Sequence, residues 1–452
     1  DQTGTSETAT VKQGGTGVSL ADVDQNGVGN TANLEQSSGA GSANEARVEQ
    51  TVGAAGNTAT IKQTGEGNLA STVQAADNSI ATTIQNGSDN SSQIEQFDLF
   101  DAATAMTTTV TQNGDQNVSS VNQLGIDSAV TVNQTNDVAG SAGNNSLVYQ
   151  AGIGATVNVD QTGQSNQSNV LQLAAGAAVD VDQAGTNNQS LVGQAAINST
   201  VKVAQGQTDA ASSNNDAVAL QVAAGSLVGI EQDGNGNYAG VLEIADNSSV
   251  TIDQDGNANQ ARVGQAFAAT LPGLVAGLFV NENSDASIEQ IGDRNRATVV
   301  QLGTNQFADV MQEGDDNLVE ALDGSAGIIQ IGDSQRALVN QTGSDNRSVI
   351  RQGVVDGVAD PLSGDNLADV SQDGIDGSST IEQGGAGNTA TVVQLADSVD
   401  AVSVITQQGT ENLASVAQGG TDNTSMINQN GTGNVALVGQ NAPVPAMPLP
   451  GV

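Results

Sequence analysis

Residue types that usually carry catalysis or bind metals are scarce in this chain. It contains no His and no Cys, which removes the commonest general base and any thiolate metal site. DVDQNG (22–27) resembles the opening of an EF-hand calcium loop, but Asn33 stands where the twelfth position requires Glu. We therefore predict no calcium loop, no cofactor and no enzymatic activity. Carboxylates without a cleft should bind cations only diffusely.

Charge and hydropathy exclude further classes of protein. The chain of 452 residues has 50 acidic and 10 basic residues and a net charge of -40, which argues against nucleic-acid binding. Its longest apolar stretch, 266–280, is interrupted by Pro272 and Gly273, so no membrane span is expected. The sequence begins at Asp1 rather than Met, and we interpret it as a mature extracellular form whose signal peptide has been removed.

Glutamine recurs every eleven residues, as in the run from Gln150 to Gln205. A fixed short period predicts a stacked repeat architecture. Segments that share the frame Q-x-G-x-x-N-x-A-x-x-x-Q include QNGVGNTANLEQ (25–36), QTGEGNLASTVQ (63–74), QGGAGNTATVVQ (383–394) and QNGTGNVALVGQ (429–440). Looser units such as QAADNSIATTIQ (74–85) alternate with them over much of the chain. The repeat is therefore 22 residues long, in two halves of 11.

Each half is predicted to be a turn followed by a strand. Glycine two places after glutamine permits a positive φ, which predicts turn glycines at Gly27, Gly65, Gly385, Gly409 and Gly431. The next five or six residues alternate between apolar and polar types, which is typical of a strand. The predicted fold class is all-β: a β-solenoid, or cross-β stack, of about 18 strand–turn–strand coils.

The alternation also predicts which residues point inward. In 25–36 the inward set is Asn30, Ala32, Leu34 and Gln36, because ionised residues elsewhere occupy the other set and an unpaired buried charge is costly. Stacked identical amides can donate and accept along the axis. The predicted amide ladder comprises Gln25, Asn30, Gln36, Gln63, Asn68, Gln74, Gln161, Gln172, Gln183, Gln194, Gln383, Asn388, Gln394, Gln407, Asn412, Gln418, Gln429, Asn434 and Gln440.

Two acids occupy glutamine positions of this ladder, Glu243 and Asp323. One interpretation is neutral drift at a tolerant site. The other is that a buried acid modulates assembly by slowing premature stacking.

The period is broken by insertions, which should lie at the turns. The predicted solenoid covers 1–440, with loops near 97–111, 135–149, 206–220, 266–289 and 353–371. The apolar loops either fold back onto the flank or contact another filament or partner. The Pro-rich arm 441–452 either covers the last coil or reaches a neighbour.

The repeat frame resembles the curlin repeat of curli subunits. All fixed positions match in the copies that begin at Gln25, Gln63, Gln383, Gln407 and Gln429. The resemblance implies a secreted bacterial subunit of extracellular amyloid fibres in the biofilm matrix. It also implies two partners, an outer-membrane export pore and a nucleator subunit for fibre assembly. This chain departs from that family in its many repeats, its acidity and its long apolar insertions.

Geometry suggests how such a chain would function. The first and last coils leave backbone groups and amides unpaired, so the last coil of one copy can template the first coil of the next. The hypothesis is a self-polymerising structural subunit. The alternative is a monomeric, capped β-solenoid that acts as a secreted adhesin or surface-binding protein.

Overall fold

The computed structural model describes residues 1–98, 105–136, 140–207, 212–265, 282–320, 325–355, 358–360 and 362–442. Within those ranges the regular secondary structure consists of β-strands, with no helix. The chain divides into two compact units, residues 1–221 (unit 1) and 222–452 (unit 2).

The strands of unit 1, in chain order, are β1 (Thr8–Gly15), β2 (Ser19–Val28), β3 (Thr31–Ser38), β4 (Asn44–Ala55), β5 (Thr58–Glu66), β6 (Leu69–Ala75), β7 (Ile80–Ser88), β8 (Ser91–Phe97), β9 (Thr107–Gly114), β10 (Val118–Ile126), β11 (Ala129–Asn136), β12 (Asn145–Ile153), β13 (Thr156–Gln164), β14 (Gln167–Ala175), β15 (Ala178–Thr186), β16 (Gln189–Gln194), β17 (Thr200–Gln205) and β18 (Asp216–Gln221).

The strands of unit 2 are β19 (Leu227–Asn235), β20 (Tyr238–Glu243), β21 (Ser249–Asn257), β22 (Gln260–Gln265), β23 (Asp285–Ile291), β24 (Arg296–Thr304), β25 (Phe307–Asp315), β26 (Leu318–Val319), β27 (Ile328–Asp333), β28 (Arg336–Ser344), β29 (Arg347–Gln352), β30 (Val354–Val355), β31 (Val358–Ala359), β32 (Leu367–Gln372), β33 (Ser378–Ala386), β34 (Thr389–Gln394), β35 (Val402–Thr410), β36 (Leu413–Gln418), β37 (Thr424–Thr432) and β38 (Val435–Gln440).

Unit 1 is a β-solenoid. Its odd-numbered strands form one parallel sheet, the odd sheet, and its even-numbered strands form a second, the even sheet. Each strand pairs with the strand two places along the chain, and glutamine lies on glutamine, as in Gln63↔Gln85 and Gln161↔Gln183. One coil therefore contains one strand from each sheet, which confirms the all-β solenoid predicted from the repeat.

Unit 2 is built in the same way. The sheet that begins with β19 continues through β21, β23, β25, β28 and β32 to β38, and the other sheet runs from β20 to β37. Both β26 and β27 pair with β24 on one side and β29 on the other. They therefore share one level of the stack.

Period-2 alternation places the core between the two sheets of each unit. In β5 the inward residues Ala59, Ile61 and Gln63 are buried, whereas Lys62 is exposed. The charged residues that set the predicted outward side remain outside the buried set in the structure: Asp180, Asp182, Lys202, Arg262, Arg296, Asp309, Arg336, Arg347 and Arg351.

The strands are longer than the sequence suggested. Gln63 and Gly65 were assigned to the end of a strand and to a turn, but both lie within β5. Parallel pairing continues through the glycine, with Gly65 opposite Gly87, because each coil offers the next a backbone in the same conformation. The bend follows instead at positive-φ residues such as Asp89 (φ 56°) and Gln116 (φ 60°).

A β-hairpin covers part of the outer surface of unit 2. β30 and β31 pair antiparallel within the insertion predicted at 353–371. Val354 joins a cluster with Leu302, Ile329 and Ile331, all of them 9% exposed or less. Those three partners sit on the sheet face that points away from the core, so this insertion buries apolar residues that would otherwise face water. The apolar stretches 99–104 and 266–281 lie outside the described residues.

Candidate functional site: amide ladders and outermost coils

Stacked glutamines form continuous hydrogen-bonded ladders in the core. In unit 1, Gln161 Nε2 donates to Gln183 Oε1 at 2.8 Å, and Gln172 Nε2 donates to Gln194 Oε1 at 2.9 Å. In unit 2, Gln383 and Gln407 donate to the next glutamine in the same way. Such bonds are also made by the predicted ladder residues Gln25, Gln36, Gln63, Gln74, Gln183, Gln194, Gln394 and Gln418.

The remaining amide hydrogen is bonded to the backbone. Gln63 Nε2 lies 2.9 Å from Glu45 O and 3.0 Å from Asn68 O. A buried amide left without partners would cost free energy, so this bonding lets a polar residue occupy the core. Gln63 is fully buried.

The glutamine ladders have one direction. In both units Nε2 donates toward the C-terminal neighbour, as from Gln2 to Gln25, from Gln161 to Gln183 and from Gln418 to Gln440. At the first level, Gln2 Nε2 donates to Gln25 and Gln13 Nε2 donates to Gln36. The Oε1 atoms of Gln2 and Gln13 therefore lie on the side of the first level that points away from the second. At the last level, Gln440 Nε2 bonds to Thr424 O and Gln429 Nε2 to Leu413 O. The N-terminal edge of unit 1 therefore offers ladder acceptors, and the C-terminal edge of unit 2 offers ladder donors.

Asparagines form a second ladder, which runs in the opposite direction. Asn68 N donates to Asn44 Oδ1 at 3.0 Å, and Asn412 N donates to Asn388 Oδ1 at 3.1 Å. Asn388 and Asn434 repeat the contact with the preceding asparagine. Asn30 is buried, but its N–H donates to Glu7 Oε2 at 2.9 Å.

Glu7 is not among the site residues predicted from the sequence. It occupies the asparagine position of the first half-coil, in a frame with Gln2, Gly4, Ala9 and Gln13. Continuing the repeat upstream from Gln13 would have shown it. An ionised carboxylate can accept hydrogen bonds but cannot donate one, so Glu7 lacks the Nδ2 donor by which ladder asparagines such as Asn434 also bond to the preceding level.

Close packing between coils requires glycine at four of the predicted turn positions, Gly27, Gly65, Gly385 and Gly409. A Cβ on Gly65 would lie 2.0 Å from Gly87 O, and Gly385, Gly409 and Gly65 all have positive φ. Gly431 also has a positive φ of 118°. Gly27 corrects the prediction, because its φ is not in the positive region. It is needed because a Cβ there would lie 2.1 Å from Ala54 O.

Glu243 interrupts the glutamine ladder of the sheet that contains β20 and β22. Its side chain is fully buried, and it pairs with Gln265 at the next level. Among the described residues, Gln265 Oε1 has no hydrogen-bond partner. A glutamine at 243 would donate to that oxygen, as the other ladder glutamines do, whereas an ionised carboxylate cannot. Asp323 lies outside the described residues.

Carboxylates also stack on the outer surface of unit 2. Asp253 lies between Glu231 and Glu289 in the register of β19, β21 and β23. Burial, followed by the like charges of Glu231, Glu289, Asp233 and Asp255, raises the pKa of Asp253 to about 6.

We expect this cluster to make unit 2 less stable as the pH rises. The folded pKa of about 6 exceeds the ordinary value of 3.8, so the native state binds the proton more tightly across that interval. Stability should therefore fall from about pH 4 to about pH 6, and Asp253→Asn should flatten the decline. Denaturant titrations at several pH values measure this. The exposed-site control Asp22→Asn should leave the slope unchanged, and an equal flattening by both variants would contradict the assignment.

The calcium-like segment is not a loop. DVDQNG lies within β2, where Asp22 and Asp24 point outward along an extended strand. The described residues contain no group of three or more His, Cys, Asp or Glu side chains suited to a metal ion. They also contain no helix long and apolar enough to cross a membrane.

Comparison with known proteins identifies the repeat. Residues 224–256, 282–314 and 292–321 match a family model described as Curlin associated repeat. The search of curated proteins found no match. The matched segments include β19, β20, nearly all of β21 and the strands β23 to β25, whose ladder glutamines are Gln232, Gln254, Gln290, Gln301 and Gln312.

Proposed function

We propose that this curlin-repeat protein is an extracellular structural subunit that polymerises end to end into curli-like amyloid filaments of a biofilm matrix. The observation that supports this function is the single direction of the glutamine ladders. Donors at one end and acceptors at the other fit each other, whereas two like ends do not. The contact is heterologous and does not close, so it builds a filament.

The joint can be described in terms of atoms. β38 pairs only with β36, and β1 pairs only with β3, so each has an edge without a strand partner among the described residues. Stacking β38 of one copy on β1 of the next would bring Gln440 Nε2 to Gln13 Oε1. Backbone hydrogen bonds along both strands would add to this ladder bond.

Self-assembly must overcome charge repulsion. Each copy carries a net charge of -40, and most carboxylates of the described residues lie outside the buried core. Diffuse cations and added salt screen such exposed charges. The subunit itself is the main partner in this proposal; a nucleator subunit and an outer-membrane export pore are further partners suggested only by the curlin resemblance.

Glu7 gives a direct test of the joint. In the repeat frame it aligns with Asn434, so end-to-end stacking would place its carboxylate near Asn434 Oδ1, which would accept from the Glu7 backbone N–H but would lack the side-chain donor of a ladder asparagine. Glu7→Asn supplies an Nδ2 donor and should speed seeded elongation about fivefold, the effect of roughly one hydrogen bond. The control Glu35→Gln removes the same charge from an exposed site of β3. Equal rates in both variants would count against this joint.

Glu7 also favours the second candidate, a monomeric secreted adhesin whose first coil is protected from stacking. Electron microscopy of the purified chain, with fibre diffraction of any assembled material, separates the two. The proposal expects long filaments with a meridional spacing of about 4.8 Å. Separate short particles at every salt concentration would favour the adhesin.

A further inference from the structure

The outer face of the even sheet of unit 1 is apolar over five successive strands, β10, β12, β14, β16 and β18. Six of its large residues are 37–50% exposed: Leu147, Tyr149, Leu171, Leu173, Leu191 and Leu220. We call the outward residues of these five strands the leucine face. Contiguous exposed apolar patches of this kind mark interaction surfaces more often than isolated exposed leucines do.

Charge is almost absent from the leucine face. Asp216, at the beginning of β18, is the one ionisable aspartate, glutamate, lysine or arginine in these five strands. The outer face of the odd sheet in the same coils instead carries Asp160, Asp180, Asp182 and Lys202. Because each copy has a net charge of -40, a charge-free face is where two copies can approach with the least repulsion.

Two columns of the leucine face alternate in side-chain size along the stack. One column runs Leu147, Asn169, Leu191, Val218, and another runs Leu124, Ala151, Leu173. A small residue between two large ones leaves a gap about 4.8 Å wide at its level of the stack, and a large residue of an identical face can fit into that gap. Paired β-sheets interdigitate in this way in dry sheet-to-sheet interfaces.

Unit 2 shows how β structure covers a comparable surface. The outward residues Leu302, Ile329 and Ile331 are buried there beneath Val354 of the β30–β31 hairpin. The described residues provide no such hairpin over the leucine face, whose six large residues remain exposed. We propose that the leucine face docks onto the leucine face of a second copy and so pairs filaments side by side.

The area of the leucine face determines whether two copies form a stable complex. Five strands about 4.8 Å apart and six residues long cover on the order of 400–500 Å² per copy. Standard interfaces bury about 800 Å² per partner, so two free copies should associate only weakly. In a filament the face recurs with every subunit, and repeated weak contacts then act together.

Cysteine cross-linking in filaments tests the contact, because the chain contains no cysteine of its own. Leu171→Cys places a thiol on the leucine face, and Thr156→Cys places one at an exposed site on the odd sheet. Successive copies along one filament hold residue 171 a whole subunit apart, so a short cross-linker can join only laterally paired copies. We expect dimers from Leu171→Cys and few from Thr156→Cys. Equal yields from the two variants would overturn the proposal.

A second measurement works without filaments. Light scattering of the soluble chain at high salt should show attraction between copies that Leu171→Lys with Leu191→Lys abolishes. Thr131→Lys with Asn158→Lys adds the same charge to the odd sheet and should leave the attraction in place.

If filaments form but the two double variants behave alike, the lateral contact fails and end-to-end assembly stands. If face-specific attraction occurs without filaments, the lateral contact stands and the proposed function fails. The leucine-face double variant could also lose the attraction while residues 99–104 become more sensitive to protease. That result would mean that the chain's own loop, rather than a second copy, covers the leucine face, and it would overturn the proposal.

Discussion

Replacing Gln161 by leucine is expected to lower the free energy of unfolding by about 3 kcal/mol, since two buried side-chain amides and the partly buried Asn145 carbonyl each lose a partner. Gln134 Nε2 would lose its acceptor at 2.8 Å, Gln183 Oε1 would lose its donor at 2.8 Å, and Asn145 O would lose a donor at 3.0 Å. Leucine has a similar volume, so the effect should come from hydrogen bonding rather than from a cavity.

Denaturant unfolding and amide hydrogen exchange in β11, β13 and β15 measure this effect. The matched control is Gln93→Leu, because Gln93 is exposed on β8 and should change stability by less than about 0.5 kcal/mol. Exchange should accelerate mainly in the coils next to Gln161, as expected when each coil contacts only its neighbours. Similar small losses in both variants would mean that the ladder contributes little to stability.

Glu243→Gln is expected to stabilise unit 2 by about 1–3 kcal/mol, the usual cost of a buried acceptor without a donor. The new amide can donate to Gln265 Oε1. The substitution also removes the free-energy cost of burying a carboxyl group away from water. Thermal unfolding measures the change. Glu313→Gln is the matched control, since it makes the same chemical change at an exposed position of β25. A gain no larger than that of the control would contradict the ladder defect at 243.

The same substitution tests whether the ladder acids modulate assembly. If they slow stacking, Glu243→Gln combined with Asp323→Gln should shorten the lag before polymerisation. A stabilised chain with an unchanged lag would separate the two effects: the defect would then be structural, and the acids would be neutral for assembly.

The period of eleven allowed the solenoid to be predicted because every level repeats one conformation. Gln161, Gln172 and Gln183 recur without a slip, and alternation around them separates Lys62 from Ile61. Strand ends were less predictable. Gly65 was assigned to a turn from its φ preference, yet it continues the strand because tertiary pairing with Gly87 outweighs local preference.

Ladder direction and its exceptions could not be predicted from the pattern. The positions of Glu45 O and Asn68 O determine whether Gln63 donates to its C-terminal or its N-terminal neighbour in the ladder. These positions follow from the three-dimensional structure and not from the repeat pattern. The covering of Leu302 and Ile331 by a hairpin depends on a long-range contact that no local period encodes. Glu7, by contrast, could be predicted from the frame, because Gln2, Gly4, Ala9 and Gln13 keep the repeat around it.

Exchange of glutamine side-chain amide protons with solvent tests the central claim most directly. With the chain labelled at glutamine side-chain nitrogen, NMR can follow the NH₂ groups of Gln161, Gln172 and Gln183 in deuterated water. Their burial and bonding predict protection comparable to that of the backbone amides in β13 and β15, with exposed Gln93 exchanging freely. Exchange of the three ladder amides as fast as that of Gln93 would contradict the buried ladder and the assembly mechanism built on it.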